Sequence, residues 1–135
     1  MDVQKEKDAV TAVIERWVAA IRSSDLDGVV ADHTGDIVMF DVPPPQRGLR
    51  GMDDYRACWP PFFRYIESGT TFEIVELDVT CGEDVAFGWM LLRCGPAEEL
   101  ERKPDLRLRI TVGLRREAGR WQISHEHHSF PLDDQ

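Results

Sequence analysis

The stretch that decides the fold is Trp121-Gln122-Ile123-Ser124-His125-Glu126-His127-His128-Ser129-Phe130-Pro131. Successive side chains of a strand point to opposite faces. Trp121 and Ile123 therefore share one face, and unbroken alternation carries that face through His125, His127 and Ser129. Apolar anchors that lead into titratable groups read as a sheet running from a packed core into a pocket. A bulge after Ile123 would instead turn Glu126 and His128 inward.

Working outward, Glu117-Ala118-Gly119-Arg120 makes the final strand one arm of a hairpin. The other arm, Leu106 to Arg116, alternates Leu108, Ile110, Val112 and Leu114 with Arg107, Arg109, Thr111 and Gly113. Before it, Gly95 to Lys103 is a polar excursion. Val85 to Arg93 is apolar on both faces, with Phe87, Trp89 and Leu91 on one and Ala86, Met90 and Leu92 on the other. An antiparallel strand usually keeps one wet face, so a second cover is expected, and a partner subunit in a homodimer supplies it. Thr71 to Val79 is a further strand whose apolar phase slips between Ile74 and Leu77, as a bulge would make it.

The first half is mostly helical. Val10, Val13, Ile14, Trp17, Val18 and Ile21 follow helical spacing over Ala9 to Arg22. Asp25 is placed to cap a short second helix, and Gly35 marks a turn after it. Asp36 to Val42 is a strand stopped by Pro43-Pro44-Pro45. Another helix starts near Met52, and Trp59-Pro60-Pro61 is expected to break or kink it. Tyr55, Trp59, Phe62, Phe63, Tyr65 and Ile66 form a dense aromatic patch, either core or the apolar wall of a ligand site. Helices first and a meander after argue an α+β fold: a cone-shaped, curved antiparallel (mixed) sheet with the N-terminal helices on its concave face. Residues 1–135 are most simply one domain.

Composition narrows the function classes. Acidic residues number 25 against 16 basic ones, a net charge of −9, and no basic cluster exceeds two residues. Nucleic acid and anionic membrane are therefore not expected partners. No apolar run is long enough to span a bilayer, and the polar start reads as cytoplasmic. Cys58, Cys81 and Cys94 form no C-x-x-C and read as free thiols.

Taken together, several stretches resemble the nuclear-transport-factor-2-like superfold, and within it the SnoaL-like branch related to ketosteroid isomerases. These are Asp25-Leu26-Asp27, His33, Asp36 to Asp41 with its prolines, Gly51, Trp59 and Phe63, Gly82 to Phe87, Arg109-Ile110-Thr111, and Gly119 to Ser129 with Pro131. The resemblance covers nearly the whole chain. It implies a cavity for a small molecule and, among relatives, isomerase, cyclase or dehydratase chemistry. An isomerase set built on an Asp base, a Tyr and a protonated Asp has no counterpart here, because no acidic residue lies on Val85 to Arg93. A pocket of different acid–base composition is expected.

Its candidates come from the residues themselves. Asp41 ends a strand face shared with Ile37 and Met39, and suits a general base at an apolar pocket's edge. As the alternative, it caps a turn. His127 is the second catalytic candidate, with His125 beside it as a ligand contact; imidazole titrates near neutrality. Arg93 and Arg109 could hold an oxyanion. Trp17, Tyr55, Trp59, Phe63 and Trp89 complete the expected ligand-binding set. Two histidines of the cluster could share a metal ion if a third ligand, such as Asp41, joined them, but no metal is expected and no cofactor is implied. The expected function is small-molecule binding, with or without cofactor-independent turnover of a partly apolar carbonyl compound; the alternative is a dimeric interaction protein with the same cavity.

Overall fold

A computed structural model describes residues 1–132. Helix α1 spans Val3–Arg22, capped by Asp2, whose side chain accepts from the Lys5 amide. Its buried stripe is the one that the spacing predicts, with Ala20 added. Helix α2, Leu26–Val30, is capped by Asp25 through the Gly28 amide. Strand β1 is His33–Phe40 and β2 is Leu49–Arg50. Gly35 lies inside β1 instead of at a turn before it.

Helix α3 runs from Met52 to Glu67, straight through Pro60 and Pro61. The expected break does not occur. Both prolines face solvent, as do Arg56 and Ala57, whose carbonyls lose their helical donors and can turn to water. Tyr55, Trp59 and Phe63, four residues apart on the opposite side, are buried and hold the helix to the core. At its start Gly51 has φ +89°, a left-handed conformation that side chains resist, and its amide donates to Ile37.

Strand β3 is Thr70–Cys81, β4 is Val85–Pro96, β5 is Leu108–Glu117 and β6 is Arg120–Ser129. The polar excursion between β4 and β5 contains a short helix, α4, Ala97–Arg102, anchored by buried Leu100. The six strands form one sheet in the order β2-β1-β6-β5-β4-β3. Only β1 and β6 run parallel; every other pair is antiparallel. The mixed sheet is curved and unclosed. Helices α1 and α3 cover its inner face. Between them lies the core of Ile14, Trp17, Ile21, Met39, Met90, Leu92, Ile110 and Ile123. The bulge expected in β3 falls between Ile74 and Glu76.

A second bulge decides where the chemistry sits. Gly113 pairs with His125, but the next residue, Leu114, pairs with Ile123, so Ser124 is the extra residue. The extra residue inverts the phase of β6. Trp121, Ile123, Glu126 and His128 point inward, while His127 is exposed.

Candidate active site

Glu126 is fully buried at the centre of the molecule. Three side chains from three elements converge on it. His33 at the start of β1 brings Nε2 to 2.5 Å from Oε2. Tyr55 of α3 donates its hydroxyl to the same oxygen at 2.6 Å. His128 of β6 places Nε2 2.9 Å from Oε1. Trp17 of α1 in turn donates its indole N–H to the Tyr55 hydroxyl at 3.0 Å. The His33 and Tyr55 rings stack with centroids 4.6 Å apart.

Two opposing effects act on the Glu126 carboxyl. Burial pushes its pKa up; hydrogen bonds from His128 and His33, and their charge, push it down and prevail, to about 2. Burial and the neighbouring carboxylate push the Tyr55 hydroxyl well above its ordinary value, so it stays a proton donor. The result is a buried anion held by hydrogen-bond donors, as a charge removed from water requires.

His128 connects this anion to an open space. Its Nδ1 lies 3.6 Å from Asp41 Oδ1, beyond hydrogen-bond distance. Both residues line a cavity of about 390 Å³, within the usual range for small-molecule sites. Trp59, Phe62, Tyr65, Phe72, Leu108 and Phe130 supply most of its apolar wall. Cys58, Cys94 and Glu99 also line it. Burial first, then the Asp41 and Glu126 charges, raises the Cys58 thiol beyond reach of ionisation near neutrality. It is no candidate nucleophile.

The expected residues divide sharply. Asp41 lies on the inner face with Ile37 and Met39 and reaches the cavity, and Trp59 lines it. Trp17, Tyr55 and Phe63 are buried behind the wall, the first two in the Glu126 network and Phe63 stacked on Trp59. The remaining assignments are corrected. His127 is on the outer face because of the Ser124 bulge, with its ring against Phe40. His125 turns outward for the same reason, bonding the Val38 carbonyl at 2.8 Å. Trp89 and Arg93 share the outer face of β4, since Ala86, Met90, Leu92 and Cys94 occupy the inner one. Arg93 pairs there with Glu73 at 3.6 Å. Arg109 is exposed on the outer face of β5 between inward-facing Leu108 and Ile110. Neither arginine can stabilise an oxyanion in the cavity.

Glu126 and His128 were reachable from the sequence only through the bulge. Its signal is Gly113, an isolated glycine inside an alternating strand. His33 carried no such signal, because its partners lie on other elements. Among the described residues, no group of three His, Cys, Asp or Glu side chains is arranged to hold a metal ion.

A SnoaL-like domain model matches residues 10–133. The chain belongs to the SnoaL-like family. No curated protein matches it. Among solved structures, this SnoaL-like chain is similar to an NTF2-like protein of unknown function from Pseudomonas putida KT2440. The identity is 33%, with TM-score 0.81, covering 98% of this chain and 91% of that one. A candidate ketosteroid isomerase from Shewanella frigidimarina is 21% identical, with TM-score 0.75 and coverage of 90% and 94%. An NTF2-like protein with a cystatin-like fold from Novosphingobium aromaticivorans is 15% identical, with TM-score 0.76 and coverage of 98% and 85%. The last two likenesses bear on the fold alone. Among the described residues of the SnoaL-like chain, no helix is long and apolar enough to cross a membrane.

Proposed function

We propose that this protein is a cofactor-independent acid–base enzyme, of isomerase, cyclase or dehydratase type, acting on a small, partly apolar carbonyl compound. One observation carries the reading. His128 bridges a buried carboxylate, Glu126, and a cavity-lining carboxylate, Asp41, at the wall of an aromatic chamber.

The roles follow from position. Asp41 removes a proton from the carbon beside the substrate carbonyl. His128 donates from Nδ1 to the carbonyl oxygen, giving a neutral enol. Its Nε2–H stays on Glu126, which balances the imidazolium charge and fixes the ring. Reversal at a neighbouring carbon returns the Asp41 proton to substrate and the oxygen proton to His128. Tyr55, His33 and Trp17 are positioning residues that act through Glu126. The test is exchange of α-protons for deuterium in a bicyclic ketone such as α-tetralone, followed by NMR. Wild-type protein accelerates exchange; His128→Gln and Asp41→Asn lose it while still binding the ketone. Equal exchange in wild type and both variants would overturn the assignment.

A homodimer through the outer sheet face belongs to the same reading. Val75, Val85 and Phe87 are 49%, 63% and 48% exposed there, beside Trp89 and Leu91. A twofold pairing of this face with a second copy would cover these apolar side chains. Sedimentation that shows a monomer at micromolar concentration would remove this part alone.

A further inference from the structure

We propose that the ligand of this chamber carries a protonated amine, held by Glu99 and the aromatic wall, as well as the group that meets Asp41 and His128. The proposal rests on the site assigned above and adds the chemical class of its ligand.

The charge inventory of the chamber is one-sided. Its lining holds two carboxylates, Asp41 and Glu99, and among the described residues no lysine or arginine. The single basic lining group, His128, already faces Asp41 and Glu126. Glu99 meets no basic group among the described residues that line the chamber. It sits in the first turn of α4, half-buried, and no described side chain makes a hydrogen bond or ion pair with its carboxylate. Burial raises both the Cys94 thiol, to about 11, and the Tyr65 hydroxyl, and the Glu99 charge adds to each.

A half-buried carboxylate at the edge of apolar surface offers a cationic ligand a charge-assisted hydrogen bond. Around it stand aromatic faces that attract cations. Trp59, Phe62, Tyr65, Phe72 and Phe130 share the wall, and ammonium groups bind over such rings. The net charge of −9 adds a field that draws cations and repels anions. Arg102 and Lys103 line an adjoining outer cleft with Glu99 but not the chamber itself.

Three probes of matched shape test this by calorimetry: tryptamine, the neutral alcohol tryptophol, and indole-3-acetate. Wild-type protein is expected to bind tryptamine roughly tenfold more tightly than tryptophol, and indole-3-acetate most weakly. In Glu99→Gln the amine preference disappears while tryptophol affinity is unchanged. Equal or tighter binding of tryptophol or indole-3-acetate in wild type overturns the proposal. So does a preference that survives Glu99→Gln, or failure of tryptamine to bind at millimolar concentration. Unchanged melting of Glu99→Gln confirms that the variant is folded. Ketone deuteration separates the two ideas. Lost exchange with an intact amine preference sinks the acid–base reading, and intact exchange without the preference sinks this one.

Discussion

The two faces of β6 differ in kind although their sequences look alike. On the inner face, Glu126 and His128 are buried and tied to His33, Tyr55 and Asp41. On the outer face, His125 and His127 touch Phe40 and a backbone carbonyl, with His127 exposed. The same residue type is thus a site component or a surface group according to one bulge. Histidine-rich composition marks a neighbourhood; phase selects which of its residues face inward.

The largest effect expected to sharpen this contrast is on turnover. His128→Ala should reduce ketone deuteration by roughly 10²–10⁴-fold, whereas His127→Ala should leave it within about twofold. A reversed ranking would break the comparison. Next is stability. Glu126→Gln strips the charge from the buried network and should cost about 3 kcal/mol in denaturant unfolding. A matching change on the outer face, His125→Gln, should cost under about 1 kcal/mol.

Acid should act on the inner face first. The Glu126 pKa is lower in the folded protein, about 2, than its ordinary 4.5. A depressed carboxyl stabilises the fold above the unfolded pKa, and that contribution is lost as pH falls through the folded one. Wild-type melting temperature should therefore decline from about pH 4.5 towards pH 2, more steeply than that of Glu126→Gln. Parallel curves would show that this carboxylate is not the linked group. Tyr55→Phe should have a smaller effect, about 1–2 kcal/mol, because it removes one donor from Glu126 and the acceptor of Trp17. Smallest is Arg109→Ala on the outer face, within about 0.5 kcal/mol in the monomer.

Much of the fold was legible because its signals are local. The α1 stripe, the Asp25 cap and the β3 phase slip each arise from residues a few positions apart. Pro60-Pro61 misled for the converse reason. Their cost is local, but the burial of Tyr55, Trp59 and Phe63 that outweighs it comes from the sheet. Trp89 and Arg93 misled because β4 is apolar on both sides, so alternation could not say which side faced the helices. Asp41 follows directly on β1 and lines the cavity, while its Oδ1 also accepts from the Val42 amide at 2.8 Å, as the turn-capping alternative expects.

By itself, the order of residues determined an α+β chain with a curved sheet and its helical cover. Backbone propensity and apolar spacing act over short distances, and they suffice for that. Only the tertiary structure decided that Ser124 is the extra residue, so that Glu126 and His128 face inward. It also brought His33, Tyr55 and Glu126 together from positions 22 to 93 residues apart. A strand's phase against its neighbour and the meeting of distant side chains are properties of pairing, and pairing exists only once the chain has folded.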